Sequence, residues 1–381
     1  MQKMYSKIKM KVVINALQYK QNSSGIGVMI RELFGAYVQL MPRHCQVVLS
    51  RDAPDFPAGP GTEVIRAPWS YGQKLRRIFF QTFQLGRKYC KNAILLTTDS
   101  KVPLFLPKDC FVIPIITDLA VYRLRETYQL SRALWWRLQY RYIRRRVNLF
   151  LAISEFTKQE MVDILHIPPE KIMVVPCACS LAMRPVTEEG LLEKVREKYQ
   201  LPEHFVLFVG NFNPRKNLKR LMEAFDLAKD QENIPHYLVI AGEQGWKFDQ
   251  QEALKNIHHI DDIHFIGYVP DGDMPTLYSA ADLFAFPTLY EGFGIPVIEA
   301  QACGTPVLTS DCSALPEICG DGAVFVNPYD ARDVCCGMLR VLQDSELSKT
   351  MAEKGLQNAR KFSWKDSAQK LNELIESVVK F

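Results

Sequence analysis

Short apolar runs alternate with longer stretches of amphipathic spacing along most of the chain. Residues 11–17, 111–116, 149–154, 172–176, 205–209, 236–242, 263–269, 283–286 and 323–326 are the runs, rich in Val, Ile, Leu and Phe. Runs of that length without polar alternation suit strands covered on both faces. Between them, residues 28–40, 155–165, 188–199, 218–229 and 274–280 carry helical spacing, with Ser154 placed to cap the helix after it. Strand and helix in alternation predict an α/β protein with parallel sheets.

One stretch concentrates the chemistry. The run 283–286 stops at Pro287, which cannot donate to a sheet ladder, so a loop begins there. That loop holds Glu291 and Gly292-Phe293-Gly294. Pro296 then suits the first turn of a helix, Gly304 can end it, and Glu299 is expected on its first turn. A strand end, a glycine loop with bare N–H groups and a helix N-terminus make an anion site, and a phosphate fits it. Glu291 and Glu299 frame the loop, each able to accept hydrogen bonds from sugar or ribose hydroxyls. The plainer readings are a solvated loop acid for Glu291 and a dipole-favoured helix acid for Glu299.

Tyr290-Glu291-Gly292-Phe293-Gly294-Ile295-Pro296-Val297-Ile298-Glu299-Ala300 resembles the Glu-x7-Glu signature of GT-B retaining glycosyltransferases of family 4. The resemblance implies two Rossmann-like domains facing across a cleft. Residues 1–182 with 362–381 are expected to bind acceptor, and 183–361 the nucleotide sugar. It implies that the amides near Phe293, Gly294 and Ile295 meet the donor diphosphate, that Glu299 holds the ribose, and that Glu291 holds the transferred sugar.

Further segments join it. After the run 205–209 come Gly210-Asn211-Phe212-Asn213-Pro214-Arg215-Lys216-Asn217, similar to the family's Pro-Arg-Lys-Asn element, whose basic pair grips the diphosphate. Arg215 and Lys216 are expected at a helix start, where cations oppose the dipole unless an anion binds or the pair stays solvated. Lys216→Ala is expected to cost turnover far more than stability. Ser24-Gly25-Ile26-Gly27 is similar to the family's N-terminal glycine loop, which approaches donor phosphates and acceptor; alone it reads as a tight turn. A dinucleotide fingerprint needs a glycine where Ile30 stands, which excludes an NAD site there. Gly267-Tyr268-Val269 falls where the family reads the nucleobase, largely through backbone. At Thr117-Asp118 the family usually has His-Asp. Thr117 replaces the histidine, and Asp118 either orients a substrate or caps the next segment. Asp271-Gly272-Asp273 reads as turn and cap chemistry, so no metal is expected and the only cofactor-like molecule is the donor itself.

Charge adds a partner. The chain's net +5 divides into 27 Lys/Arg against 12 Asp/Glu over residues 1–180, and 20 against 30 over the rest. A basic first part seeks an anionic partner, while the acidic remainder and the lack of a recognised module argue against nucleic acid. Residues 71–91 and 132–146 mix bases with aromatics and carry no acids. They fit either an anionic membrane face or a core helix with a solvated basic side. No apolar run reaches membrane-spanning or signal-peptide length, and the ten cysteines show no disulfide or zinc spacing. The expectation is a cytoplasmic protein, peripheral at the inner face of the cell membrane. It would transfer a hexose, mannose or rhamnose, to a glycan or lipid-linked acceptor in surface polysaccharide synthesis. A hydrolase, a sugar-nucleotide epimerase and a non-catalytic sugar-nucleotide or membrane-binding protein remain as alternatives.

Overall fold

The computed structural model describes residues 10–20, 25–40, 44–98, 101–127, 130–147, 149–245 and 248–379. The chain divides into two compact units, 1–177 with 363–381, and 178–362. The expected boundary near 182 therefore falls a few residues earlier. Ser24 of the first glycine loop lies outside the described residues.

The first unit holds a seven-stranded sheet. Its strands are β1 (Lys11–Asn15), β2 (Cys45–Leu49), β3 (Thr62–Arg66), β4 (Ala93–Thr98), β5 (Cys110–Ile116), β6 (Phe150–Ala152) and β7 (Ile172–Val174). They lie in the order β3-β2-β1-β4-β5-β6-β7, and every pairing is parallel. Three of these strands, β2, β3 and β4, were not anticipated; β4 is buried along its whole length. The terminal helix Trp364–Val379 belongs to this unit, where the Ser367 hydroxyl donates to the Pro176 carbonyl at 2.7 Å.

The second unit holds β8 (Phe205–Val209), β9 (Tyr237–Ala241), β10 (Ile263–Gly267), β11 (Leu283–Phe286), β12 (Val307–Ser310) and β13 (Val324–Val326). Their order is β10-β9-β8-β11-β12-β13, again all parallel. Chain direction across the sheet reverses between β8 and β11. That is the switch point of a doubly wound sheet, where the loops leaving the strand carboxyl ends diverge and open a crevice. Phe205, Phe208, Phe284 and Phe286 are fully buried on these two strands, so the crevice rests on a rigid aromatic floor.

Backbone approach at the crevice is close. Gly242, just after β9, has φ +142°, and a Cβ there would sit 2.1 Å from the Gly210 carbonyl oxygen. Only glycine allows the two strand ends to approach in this way. Gly242→Ala is expected to lower unfolding stability by roughly 2 kcal/mol or more, combining backbone strain with a clash that only movement of Gly210 relieves. Urea titration measures this, and a wild-type midpoint in the variant would contradict it.

Candidate active site

Two loops, one from each side of the switch point, are stitched together before any ligand is considered. After β8, Gly210 takes φ +151°, and Pro214–Lys216 form a single 3-10 turn. The α-helix begins only at Leu218, after Asn217 turns left-handed at φ 58°. Arg215 and Lys216 thus precede the helix instead of opening it, which revises the expected dipole cost. Asn217 is one of the residue types that tolerates such a φ. Its side-chain amide donates to the Pro287 carbonyl at 2.8 Å and the Pro328 carbonyl at 2.7 Å, tying the loop to the segments after β11 and β13. The Leu289 amide donates to the Arg215 carbonyl at 2.8 Å, and the Thr288 hydroxyl lies 2.8 Å from the same oxygen.

That stitching brings three predicted residues together. Lys216 Nζ lies 2.8 Å from Glu291 Oε1, and Arg215 approaches the other carboxylate oxygen at 3.7 Å. Lys216 Nζ also sits 4.4 Å from the centre of the Phe286 ring, on the aromatic floor. Glu291 is 7% exposed, so the solvated-loop reading fails. Burial by itself would raise its pKa, but the charges of Arg215 and Lys216 outweigh it and hold the carboxyl below its ordinary value. The Ser313 hydroxyl accepts from the Glu291 amide at 3.1 Å, and the Ala314 amide donates to its carbonyl at 3.2 Å.

The glycine loop follows. Gly294 adopts φ +97°, and a Cβ there would meet Leu315 Cδ2 at 2.8 Å. Phe293 is buried and packs edge-on against Phe362, ring centres 5.4 Å apart. The helix Ile295–Ala302 starts one residue earlier than expected, with no acid in its first turn. Glu299 is therefore beyond the reach of a helix-start argument. Among the described residues none accepts from the amides of Phe293, Gly294 or Ile295. An anion placed at this helix start would meet those donors and the positive end of the dipole.

Glu299 joins a different partner. Its Oε2 accepts from the Tyr278 hydroxyl at 3.0 Å. Loss of water pushes its pKa up to about 7; the Tyr278 hydrogen bond opposes the rise and Asp271 adds to it. Asp273 does not cap the helix Met274–Ser279 with its side chain, contrary to expectation; it accepts from Lys198 Nζ and the Tyr199 hydroxyl, each at 2.6 Å. Tyr268 is exposed after β10, and Val269 is buried.

Gly25, Gly27 and Asp118 lie in the first unit. Gly25, at φ 49°, precedes the helical turn Ile26–Met29, which holds Gly27. Asp118 follows β5, where its Oδ1 accepts from the Ala120 amide at 3.1 Å. Tyr278, Thr288 and Ser313 were missed by sequence reasoning, since a hydroxyl that reaches across loops leaves no periodic signal.

This site has known counterparts. Residues 193–358 match the family described as Glycosyl transferases group 1. O-antigen chain mannosyltransferase B of Escherichia coli is 34% identical over 221 residues, covering 58% of this chain and 58% of the relative. Serotype-specific mannosyltransferase WbdA of the same species is 29% identical over 232 residues, covering 58% of this chain and 28% of its own length. The chain thus spans about half or less of the curated relatives it matches first.

Solved structures agree on the architecture across nearly the whole chain. Sucrose-phosphate synthase of Thermosynechococcus elongatus superposes with TM-score 0.77 at 20% identity, covering 97% of this chain and 99% of that one. WaaG, a glycosyltransferase involved in lipopolysaccharide biosynthesis, gives TM-score 0.71 at 16% identity over 96% of this chain and 99% of its own. The fold is the two-unit, parallel-sheet Rossmann-like architecture of GT-B glycosyltransferases.

The raised pKa of Glu299 has a signed consequence. The unfolded chain releases this proton near pH 4.5 and the folded chain near 7, so stability falls as pH rises between them. Because the residue is partly exposed, the loss is expected to be only about 1–2 kcal/mol across that window. Glu299→Gln should flatten this part of the stability profile, as measured by urea titrations at pH 5 and pH 7.5. An unchanged slope would show that Glu299 titrates normally.

Proposed function

We propose that the chain is a retaining hexosyltransferase. It moves a sugar from a nucleotide diphosphate donor to a glycan or lipid-linked acceptor in surface polysaccharide synthesis, without a required metal. The observation that carries this reading is the buried Lys216–Glu291 pair at the switch point, beside a glycine loop that opens a helix. The E. coli relatives, both mannosyltransferases by name, support mannose as the sugar.

The chemistry follows from the charges. Breaking the glycosidic bond of such a donor leaves negative charge on a diphosphate, and a fixed cluster of cations and amides stabilises that charge without reorganising. Lys216, Arg215 and the amides from Phe293 to Ile295 are that cluster. In the free protein Glu291 is the counter-charge of Lys216. An arriving diphosphate takes over that role, and the Glu291 carboxylate is left to accept from hydroxyls of the sugar. Glu299 takes the ribose hydroxyls, with Gly210, Tyr268 and Val269 lining the nucleotide. Retention follows if the leaving phosphate takes the acceptor's proton on the face from which it departs, which requires no protein nucleophile.

We assign the donor to residues 178–362 and the acceptor to the other unit, with Gly25, Gly27 and Asp118 on its side. Among the described residues no helix is long and apolar enough to cross a membrane. The first unit presents Leu75, Ile78 and Phe79 beside Lys74, Arg76 and Arg77, all at least partly exposed. That composition supports peripheral attachment to the anionic cytoplasmic face of a cell membrane. A second reading, a non-catalytic sugar-nucleotide binder, draws on Thr117 and on the hydrogen bond that engages Asp118 Oδ1 with the Ala120 amide.

Transfer of radiolabelled sugar from GDP-, UDP- and dTDP-hexoses, together with thermal shifts from the same donors, separates the two readings. One donor is expected to raise the melting temperature and to support transfer; binding without turnover favours the second reading. Lys216→Ala is expected to reduce kcat by two orders of magnitude or so. It should also cost about 2–3 kcal/mol of stability at neutral pH, because it strands a buried carboxylate; the pairing with Glu291 thus revises the expectation that turnover suffers far more than stability. Adding Glu291→Gln should restore stability and leave turnover low. Restored turnover in the double variant would refute the direct role of Lys216.

A further inference from the structure

A second basic site lies in the first unit, away from every residue assigned to the donor. The helix Leu130–Arg146 buries Tyr140 and Ile143 in the core, so the core-helix reading of this stretch holds for one face. Its other side lines a cavity of about 360 Å³. Arg137, Arg141, Arg144 and Arg145 line it, closed by Tyr122 and Tyr140 and by the end of the helix Glu155–Leu165.

Four arginines line this cavity, and among the described residues no carboxylate does. Among the described residues none of the four is paired with an acid, whereas nearby Arg123 holds Glu160 at 2.6 Å. Arg144 donates to the Leu165 carbonyl at 3.0 Å, a contact favoured at a helix carboxyl end. Arg137 lies 5.1 Å from the centre of the Tyr122 ring, and its Nε is buried with no hydrogen-bond partner. A buried donor left unmade is costly, and an anion held among the four arginines would satisfy the Arg137 Nε and neutralise their charge. Arginine forks match the oxygens of a phosphate better than those of a simple halide. The volume falls within the range of small-ligand sites.

The same helix says where that phosphate comes from. Leu134, Trp135 and Leu138 are 61%, 50% and 54% exposed, on the strip adjoining the arginines. Soluble phosphates have no use for exposed leucines and a tryptophan, whereas a lipid headgroup presents its phosphate next to apolar chain.

We propose that the four-arginine cavity binds the phosphate of an anionic lipid headgroup, with Leu134, Trp135 and Leu138 entering the adjacent apolar layer. It gives the membrane reading above a specific ligand and rests on that reading for the source of the phosphate. It does not depend on the donor site.

The test uses the full chain. Flotation compares vesicles of phosphatidylcholine with vesicles that also contain phosphatidic acid, and inorganic pyrophosphate serves as a soluble competitor. The exposed pair Arg141→Gln and Arg145→Gln removes charge without touching the core, and Lys216→Ala controls for phosphate binding at the donor site. Binding is expected to require phosphatidic acid, to weaken with salt and pyrophosphate, to persist in Lys216→Ala, and to fall roughly tenfold or more in the arginine double variant. Equal binding by the double variant overturns the cavity and leaves membrane attachment to the 74–79 face. No vesicle binding by any form overturns both. Pyrophosphate binding that the double variant loses, with no vesicle binding, overturns the lipid source. Sugar transfer measured on the same preparations reports a failure of the transferase reading separately.

Discussion

A carboxylate kept ionised away from water is the constraint on which the second unit depends. Glu291 is nearly buried, and a charge in that position is tolerable only with its counter-charges in place. Lys216 and Arg215 supply them from the loop of another strand. For the three groups to meet, the ends of β8 and β11 must be adjacent, which parallel pairing at the switch point guarantees. The loops must also be held in register, which Asn217, Thr288 and Leu289 accomplish through backbone carbonyls. Stability and ligand binding draw on the same pair, since a diphosphate reaching Lys216 competes with Glu291 for it.

Backbone conformation sets how close a ligand can come. Gly210, Gly242 and Gly294 lie at positive φ around the strand ends, and Gly242 and Gly294 are hemmed in by neighbouring atoms. The result is a crevice walled by peptide groups as much as by side chains. Amides so fixed need no rearrangement when charge appears, which suits stabilisation of a departing phosphate. The two signature carboxylates, eight positions apart in sequence, end in different environments: Glu291 is flanked by cations and held acidic, while Glu299, beside Tyr278, is raised to a pKa of about 7. Environment, more than residue type, separates their roles.

Charge is segregated between the units. The excess of basic residues in the first is gathered on the two aromatic-rich helical segments, one of which leaves four arginines without acids. The second unit keeps its few functional cations in contact with acids. On the proposed reading the protein meets phosphate in two settings, one in a crevice and one on a surface, and this division serves both. A transferase of the proposed kind has to release its anion after each turnover, and Glu291 would then compete for the cations.

How much was legible in the sequence depended on the range of the interaction. Strands such as Phe205–Val209 and Leu283–Phe286 were plain, because a strand buried on both faces needs an unbroken apolar run. The motif around Glu291 and Glu299 carried the family resemblance, and the basic pair after β8 the expectation of an anion. β2 and β3 escaped because charged and polar residues interrupt their runs, and Thr62–Arg66 has an exposed face. Ala93–Thr98 carried an apolar signal that was passed over. The sequence by itself determined the class of fold, the two-unit plan and the kinds of group at the site, since periodicity and loop chemistry are local. Only the tertiary structure decided that Lys216 pairs with Glu291, that Tyr278 holds Glu299, and that four arginines share one cavity. Those contacts join residues far apart in the chain or on separate elements, and no local pattern encodes a distance between strands.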